Sequence, residues 1–142
     1  MDSIAIAPTG VLAAFCTDCF APTPPEAEIC PSCGARLPAP SEDQRGAILV
    51  AALDHPLAEV RGRAIILLGM HGDDAVADAL AGCALRYRAD VVAALNVVRG
   101  LRGMRGGARS LRALHRLYEG HPAAAVREAA RAAIVHRTLA GG

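Results

Sequence analysis

Val60-Arg61-Gly62-Arg63-Ala64-Ile65-Ile66-Leu67-Leu68-Gly69-Met70-His71-Gly72-Asp73-Asp74-Ala75-Val76-Ala77-Asp78-Ala79-Leu80 is the stretch on which the fold turns. Val60, Ala64 and Leu67/Leu68 recur at spacings of three and four, which sets them on one face of a helix. Gly72 is free to take the left-handed backbone that ends such a helix, and Asp73 supplies a side-chain acceptor to start the next. Leu80 then packs back on the first helix. The stretch spells helix, tight turn, helix.

The same phrase recurs downstream. Leu67-Leu-Gly69-Met70-His-Gly72 returns as Leu101-Arg-Gly103-Met104-Arg-Gly106, with four of six positions identical, and Ala79-Leu80 returns at the same offset as Ala113-Leu114. His55-Pro56 and Val60-Arg61-x-x-Ala64 return at roughly twice that interval, as His121-Pro122 and Val126-Arg127-x-x-Ala130. A middle copy falls between them, degenerate at Ala94-Leu95, with Gly106-Gly107 where the first copy has Gly-Asp. A fixed period of this size with helical patterning predicts a stacked α-solenoid. The pattern resembles the short HEAT-like repeat of the phycobilisome-lyase type over roughly residues 41–138. That resemblance implies a short helical array over residues 41–142, with the second helix of each repeat lining a concave face. The array ends on a first helix, and about three stacked units are normally needed, which casts the segment before it as a cap.

Residues 1–40 have a different character. Cys16/Cys19 and Cys30/Cys33 form two Cys-x-x-Cys pairs, and four thiolates so spaced can close a tetrahedral shell around one metal ion. Gly34 leaves the backbone after the last cysteine free for a left-handed turn. Pro22, Pro24 and Pro25 between the pairs forbid a helix. Phe15, Phe20, Ile29 and Leu37 flank the cysteines and are expected to cluster around them. About 40 residues bury too little apolar surface to fold unaided, so the metal must supply the stability. The segment resembles a zinc ribbon over roughly residues 14–38, which implies structural Zn²⁺. A rubredoxin-like iron site shares these pairs but usually sits in an aromatic cluster, and a dithiol redox site needs only one pair. Residues 1–14, around Pro8-Thr9-Gly10, read as a short extended hairpin, and Ser41 to Gln44 as a helix-capping box.

Composition agrees with helices packed on helices. Of the 142 residues 31 are Ala, none is Trp, and only two Phe and two Tyr are present. Arg supplies the positive charge without any Lys, and the charge is unevenly spread. Residues 1–85 hold 4 Arg against 11 Asp/Glu, a net of −7, while residues 86–142 hold 11 Arg against 3, a net of +8. The basic half is the better candidate for an anionic partner. Six arginines crowd one short stretch: Arg99, Arg102, Arg105, Arg109, Arg112 and Arg116. The last three share one helical face, opposite Leu111, Leu114, Leu117 and Tyr118. Guanidinium forks so arrayed suit carboxylates or phosphates, against the plainer reading of a solvated face.

Other classes find little support. No nucleophile–base pair, carboxylate dyad or phosphate-binding glycine loop stands out, and Cys83 in its apolar helical stretch reads as a core residue. No run approaches the roughly 20 apolar residues that span a bilayer. No secretory leader is visible, since Asp2 stands where its cations belong, so a reducing, cytoplasmic compartment is expected. The sequence therefore predicts a mainly α chain: a zinc ribbon at 1–40 and a HEAT-like array at 41–142. It reads as a non-enzymatic scaffold binding an acidic protein or peptide, with nucleic acid as the alternative partner of the arginines. Few aromatic side chains are present to stack on bases, which disfavours sequence readout.

Overall fold

The structure is a computed structural model that describes residues 14–24, 26–37, 42–104 and 107–141. The hairpin expected before residue 14, the capping Ser41 and Arg105 lie outside the described residues. Among the described residues six helices follow the cysteine segment: α1 (Glu42–Ala52), α2 (Ala58–His71), α3 (Ala77–Arg86), α4 (Val91–Gly103), α5 (Ala108–Gly120) and α6 (Ala124–Gly141). A single 3₁₀ turn, Asp74–Val76, precedes α3. Among the described residues there is no strand, only the isolated bridges Phe15–Pro22 and Ile29–Arg36. The chain is mainly α, with a cysteine cluster toward its N-terminus.

From α2 onward, each helix packs on the one two places along. α2 lies against α4, α4 against α6, and α3 against α5, while α1 covers α2 and α5 meets α6. The interior is small-residue packing, as the alanine-rich composition requires. Ala64, Ala77, Ala81, Ala94, Ala113 and Ala130 are fully buried among Leu49, Leu68, Leu80, Leu101, Leu114 and Leu117. α2 and α4 come closest at Gly69 and Gly100, where a Cβ on either would lie 3.1 Å from the other's Cα. Val60, Ala64, Leu67 and Leu68 all face the core, and so does Cys83, whose thiol donates to the Leu53 carbonyl at 3.4 Å. Burial pushes that thiol's pKa up, and an inert core cysteine results.

The turns explain which residues repeat. Gly72 takes φ +75° and its N–H reaches the Leu68 carbonyl, ending α2, and Asp73 accepts from the Ala75 N–H at 3.0 Å. The helix Asp73 opens is the 3₁₀ turn, which α3 continues. At the start of α2, His55 Nδ1 accepts the Leu57 N–H at 3.1 Å, and Arg61 donates back to the carbonyls of His55 and Pro56 at 2.7 and 3.1 Å. At the start of α6 the same clasp appears. His121 Nδ1 accepts the Ala123 N–H at 3.1 Å, and Arg127 donates to the carbonyls of His121 and Pro122 at 2.9 and 2.7 Å. The repeated His-Pro and Val-Arg dipeptides are thus the two halves of one turn-closing device. In the degenerate middle copy Asp90 takes over, accepting the Ala93 N–H at 3.0 Å.

Gly106-Gly107, which breaks the repeat pattern, has its own solution. α5 receives no cap from its own N-cap residue Gly107. Instead Asp74, from the 3₁₀ turn that leads into α3, accepts the Ser110 N–H at 2.8 Å and the Arg109 N–H at 3.2 Å. A Cβ on Gly107 would overlap that carboxylate. The glycine is what lets one repeat cap the next. Arg137 of α6 closes the same corner, donating to the Leu101 carbonyl at 3.0 Å and to the buried Ser110 hydroxyl at 2.7 Å.

Candidate metal centre and arginine surfaces

The two cysteine pairs fold as copies of one another. The Phe20 N–H returns to the Cys16 carbonyl at 2.8 Å, and the Gly34 N–H to the Cys30 carbonyl at 2.9 Å. The Cys16 N–H reaches the Ala21 carbonyl and the Cys30 N–H the Ala35 carbonyl, at 3.0 and 2.8 Å. The two bridges, Phe15–Pro22 and Ile29–Arg36, then hold each knuckle's arms together. Both tips require left-handed backbone: Gly34 has φ +79° and Phe20 has φ +63°. For Phe20 that conformation costs about 1–2 kcal/mol, against roughly nothing for a glycine. Its ring offsets the strain by stacking on Phe15, with centroids 5.7 Å apart, and both rings are buried in the same core as the helices. Ile29 was expected beside them but is half exposed, and Leu37 is only partly covered. The aromatic pair thus serves as the anchor to the helices, and Ile29 does not join it. Arg63 of α2 reinforces that anchor by donating to the Cys19 carbonyl.

The knuckles bring the Sγ atoms of Cys16, Cys19, Cys30 and Cys33 within 4.8 Å of one another. Cys16 and Cys33 are 3.6 Å apart at sulfur, and Cys19 and Cys30 are 3.7 Å apart. A tetrahedron with metal–sulfur bonds of about 2.3 Å has edges of about 3.8 Å, so the cluster already has the dimensions of a Cys₄ shell. Backbone donors face the sulfurs: the Asp18 N–H on Cys16, and the Ser32 and Cys33 N–H groups on Cys30. These orient the sulfurs as outer-shell partners do.

The sulfurs divide sharply in acidity. The Cys33 N–H, against the effect of burial and helped by the Ser32 N–H, lowers the Cys30 pKa to about 6. Cys33 goes the other way: the Ala35 N–H pulls it down, but burial and the neighbouring thiols of Cys16, Cys19 and Cys30 push it up to about 12. Cys19 is likewise raised, by burial first. The Cys30 thiolate is accommodated readily, and Cys19 and Cys33 resist joining it. A cation at the centre removes that conflict, and a four-sulfur shell leaves it no open position for water.

The arginines are split between surfaces. Arg99 and Arg102 are exposed on α4 and border a groove against α6, while Arg105 lies outside the described residues. Arg109, Arg112 and Arg116 are exposed along α5, with Leu114 and Leu117 buried on its opposite side and Tyr118 half exposed. Acidic residues interrupt that strip. Arg116 lies 3.8 Å from the Asp78 carboxylate of α3, and Asp74 receives the backbone of Arg109. Other arginines have structural work that the sequence did not reveal. Arg61 stacks 3.7 Å over the Tyr87 ring, Arg86 pairs with Asp54 at 2.6 Å, and Arg127 and Arg137 close turns. The recurrence of Val-Arg at fixed spacing was the only sign that some arginines face inward.

No helix among the described residues is long and apolar enough to cross a membrane. Comparison with protein-family models, with characterised proteins and with solved structures finds no match to this chain.

Proposed function

We propose that the chain is a non-enzymatic, zinc-stabilised adaptor that recognises an acidic protein or peptide through the arginines of a HEAT-like helical array. The observation that carries this reading is the asymmetry of α5, which buries Leu114 and Leu117 and turns Arg109, Arg112 and Arg116 outward. The alternating packing of α2, α4 and α6 in one rank and α3 and α5 in another supports a short solenoid. Four cysteines at tetrahedral spacing, with no open coordination position, support zinc as scaffold. The scarcity of aromatic side chains to stack on bases, two Phe and two Tyr with no Trp, favours a protein partner over a nucleic acid.

The test has two arms. Purified, reduced protein should carry one zinc per chain by elemental analysis, and a metal-free folded knuckle would remove the scaffold. An affinity pull-down should then compare the wild type with a triple variant, Arg109→Glu, Arg112→Glu and Arg116→Glu. Identical capture by both would show that α5 is not the recognition surface. Capture of nucleic acid that falls steeply with salt would favour the alternative partner.

A further inference from the structure

The groove between α4 and α6 has a volume of about 400 Å³ and a floor of small apolar residues: Leu95, Val98, Ala129 and Ala133. Arg99 and Arg102 stand on its α4 side, one helical turn apart. Neither meets a carboxylate among the described residues. Arg99 reaches only the Asn96 side-chain oxygen at 3.4 Å, and Arg102 only His136 Nδ1 at 3.4 Å. Val135 and Leu139 are further exposed apolar side chains of α6, Leu139 at 78%. The groove therefore offers an apolar trough with two unneutralised guanidinium forks, suited to a short segment carrying carboxylates beside an aliphatic side chain.

Such a segment exists in this chain. Between the cysteine pairs, Glu26 and Glu28 are exposed and have no ion-pair partner among the described residues, and Ile29 beside them is 53% exposed. The segment is held in shape. The Ala27 N–H bonds the Pro24 carbonyl, the Leu37 N–H bonds the Glu28 carbonyl, and Ile29 bridges to Arg36. A segment already ordered loses little entropy on docking. The wider charge distribution points the same way, since residues 1–85 carry −7 and residues 86–142 carry +8.

We infer that the α4–α6 groove binds the segment at residues 26–29 of a second copy of this chain, head to tail. The contact is between copies, because the knuckles are tied to α2 through the Cys19 carbonyl while the groove lies beyond α4. The two halves of the contact are different surfaces, so each assembly keeps one groove and one segment free at its ends and the association is open-ended. The inference rests on the reading that the arginines recognise acidic protein, and it names one partner.

Sedimentation velocity and light scattering on full-length, metal-loaded protein test it. At low salt the wild type should grow from monomer to dimer and beyond as concentration rises, and return to monomer near 1 M salt, where the Debye length is about 3 Å. A groove variant (Arg99→Ala with Arg102→Ala) and a segment variant (Glu26→Gln with Glu28→Gln) should each remain monomeric. Mixed in equal amounts they should form a one-to-one dimer and stop there, since each brings one intact half. Circular dichroism and bound zinc check that both variants fold. Wild type that stays monomeric, variants that associate like the wild type, or a mixture that stays monomeric each overturn the inference. Binding of a labelled poly-glutamate peptide separates the two readings. A monomeric wild type that binds it through Arg99 and Arg102 overturns self-docking and leaves acidic recognition standing, whereas no binding at all removes both.

Discussion

The cysteine knuckles and the helical array solve the same problem, holding tight turns in place, by opposite means. In the knuckles the geometry converges on four sulfurs within 4.8 Å, with an aromatic pair and the Arg63 hydrogen bond as links to the helices. In the array each turn is closed by backbone N–H groups donating to one side chain, His55, Asp73, Asp90, Asp74 or His121, and the holding energy is spread over many small buried contacts. Concentrated support fails all at once. Distributed support fails by increments. The difference teaches where each region is vulnerable.

Metal removal should break the comparison most visibly. Replacing Cys30 and Cys33 by Ser forfeits a binding free energy of the order of 10–16 kcal/mol that also folds the knuckles. Bound metal should vanish and residues 14–37 should become susceptible to protease, while far-UV circular dichroism retains most of its helical signal. Loss of that signal as well would mean the array depends on the metal. The reverse experiment is Leu114→Ala, a cavity in the fully buried layer between α3 and α5. It should destabilise thermal unfolding by about 2–5 kcal/mol and leave one metal per chain below the transition.

A smaller effect sharpens the picture of the array. Asp74→Ala leaves the start of α5 without its acceptor and should cost about 1 kcal/mol. Burial acts to raise the Asp74 pKa, but the Ser110 N–H and hydroxyl, the Arg109 N–H and the Arg109 charge outweigh it and leave it lowered. A carboxyl lowered on folding stabilises fully above its unfolded value of about 3.9 and loses that contribution as pH falls through the folded value. The gap between wild type and Asp74→Ala in melting experiments should thus be constant near neutrality and close in acid. A gap that persists in strong acid would mean the loss is packing and not the carboxylate.

The helices were legible in the sequence because their signals are local: the apolar spacing from Val60 to Leu68, Gly72 as terminator, and Leu114 and Leu117 opposite the arginines. The cysteine cluster was legible for the same reason, since two short spacings define it. Contacts made across the fold were hidden. Asp74 looked like a second acid in a turn whose capping role Asp73 had already filled, and its partner lies far along the chain at Ser110. Phe20 occupies the position that Gly34 holds in the other knuckle, and nothing in its residue type announces a left-handed backbone. The arginines gave the most misleading signal. Charge alone grouped six of them, whereas the structure divides the described ones between α4 and α5 and gives others inward duties at Tyr87, Ser110 and the His-Pro turns.

Asp74 reaching across to α5 has a consequence for how this chain can change. A module that carries its own stopper can be duplicated or removed without harm to its neighbours. Here the stopper for one module is stored in the module before it, beside a glycine kept bare to receive it. An insertion between residues 76 and 107 would separate the two and leave α5 frayed at its first turn, so the array can lengthen safely only at its ends.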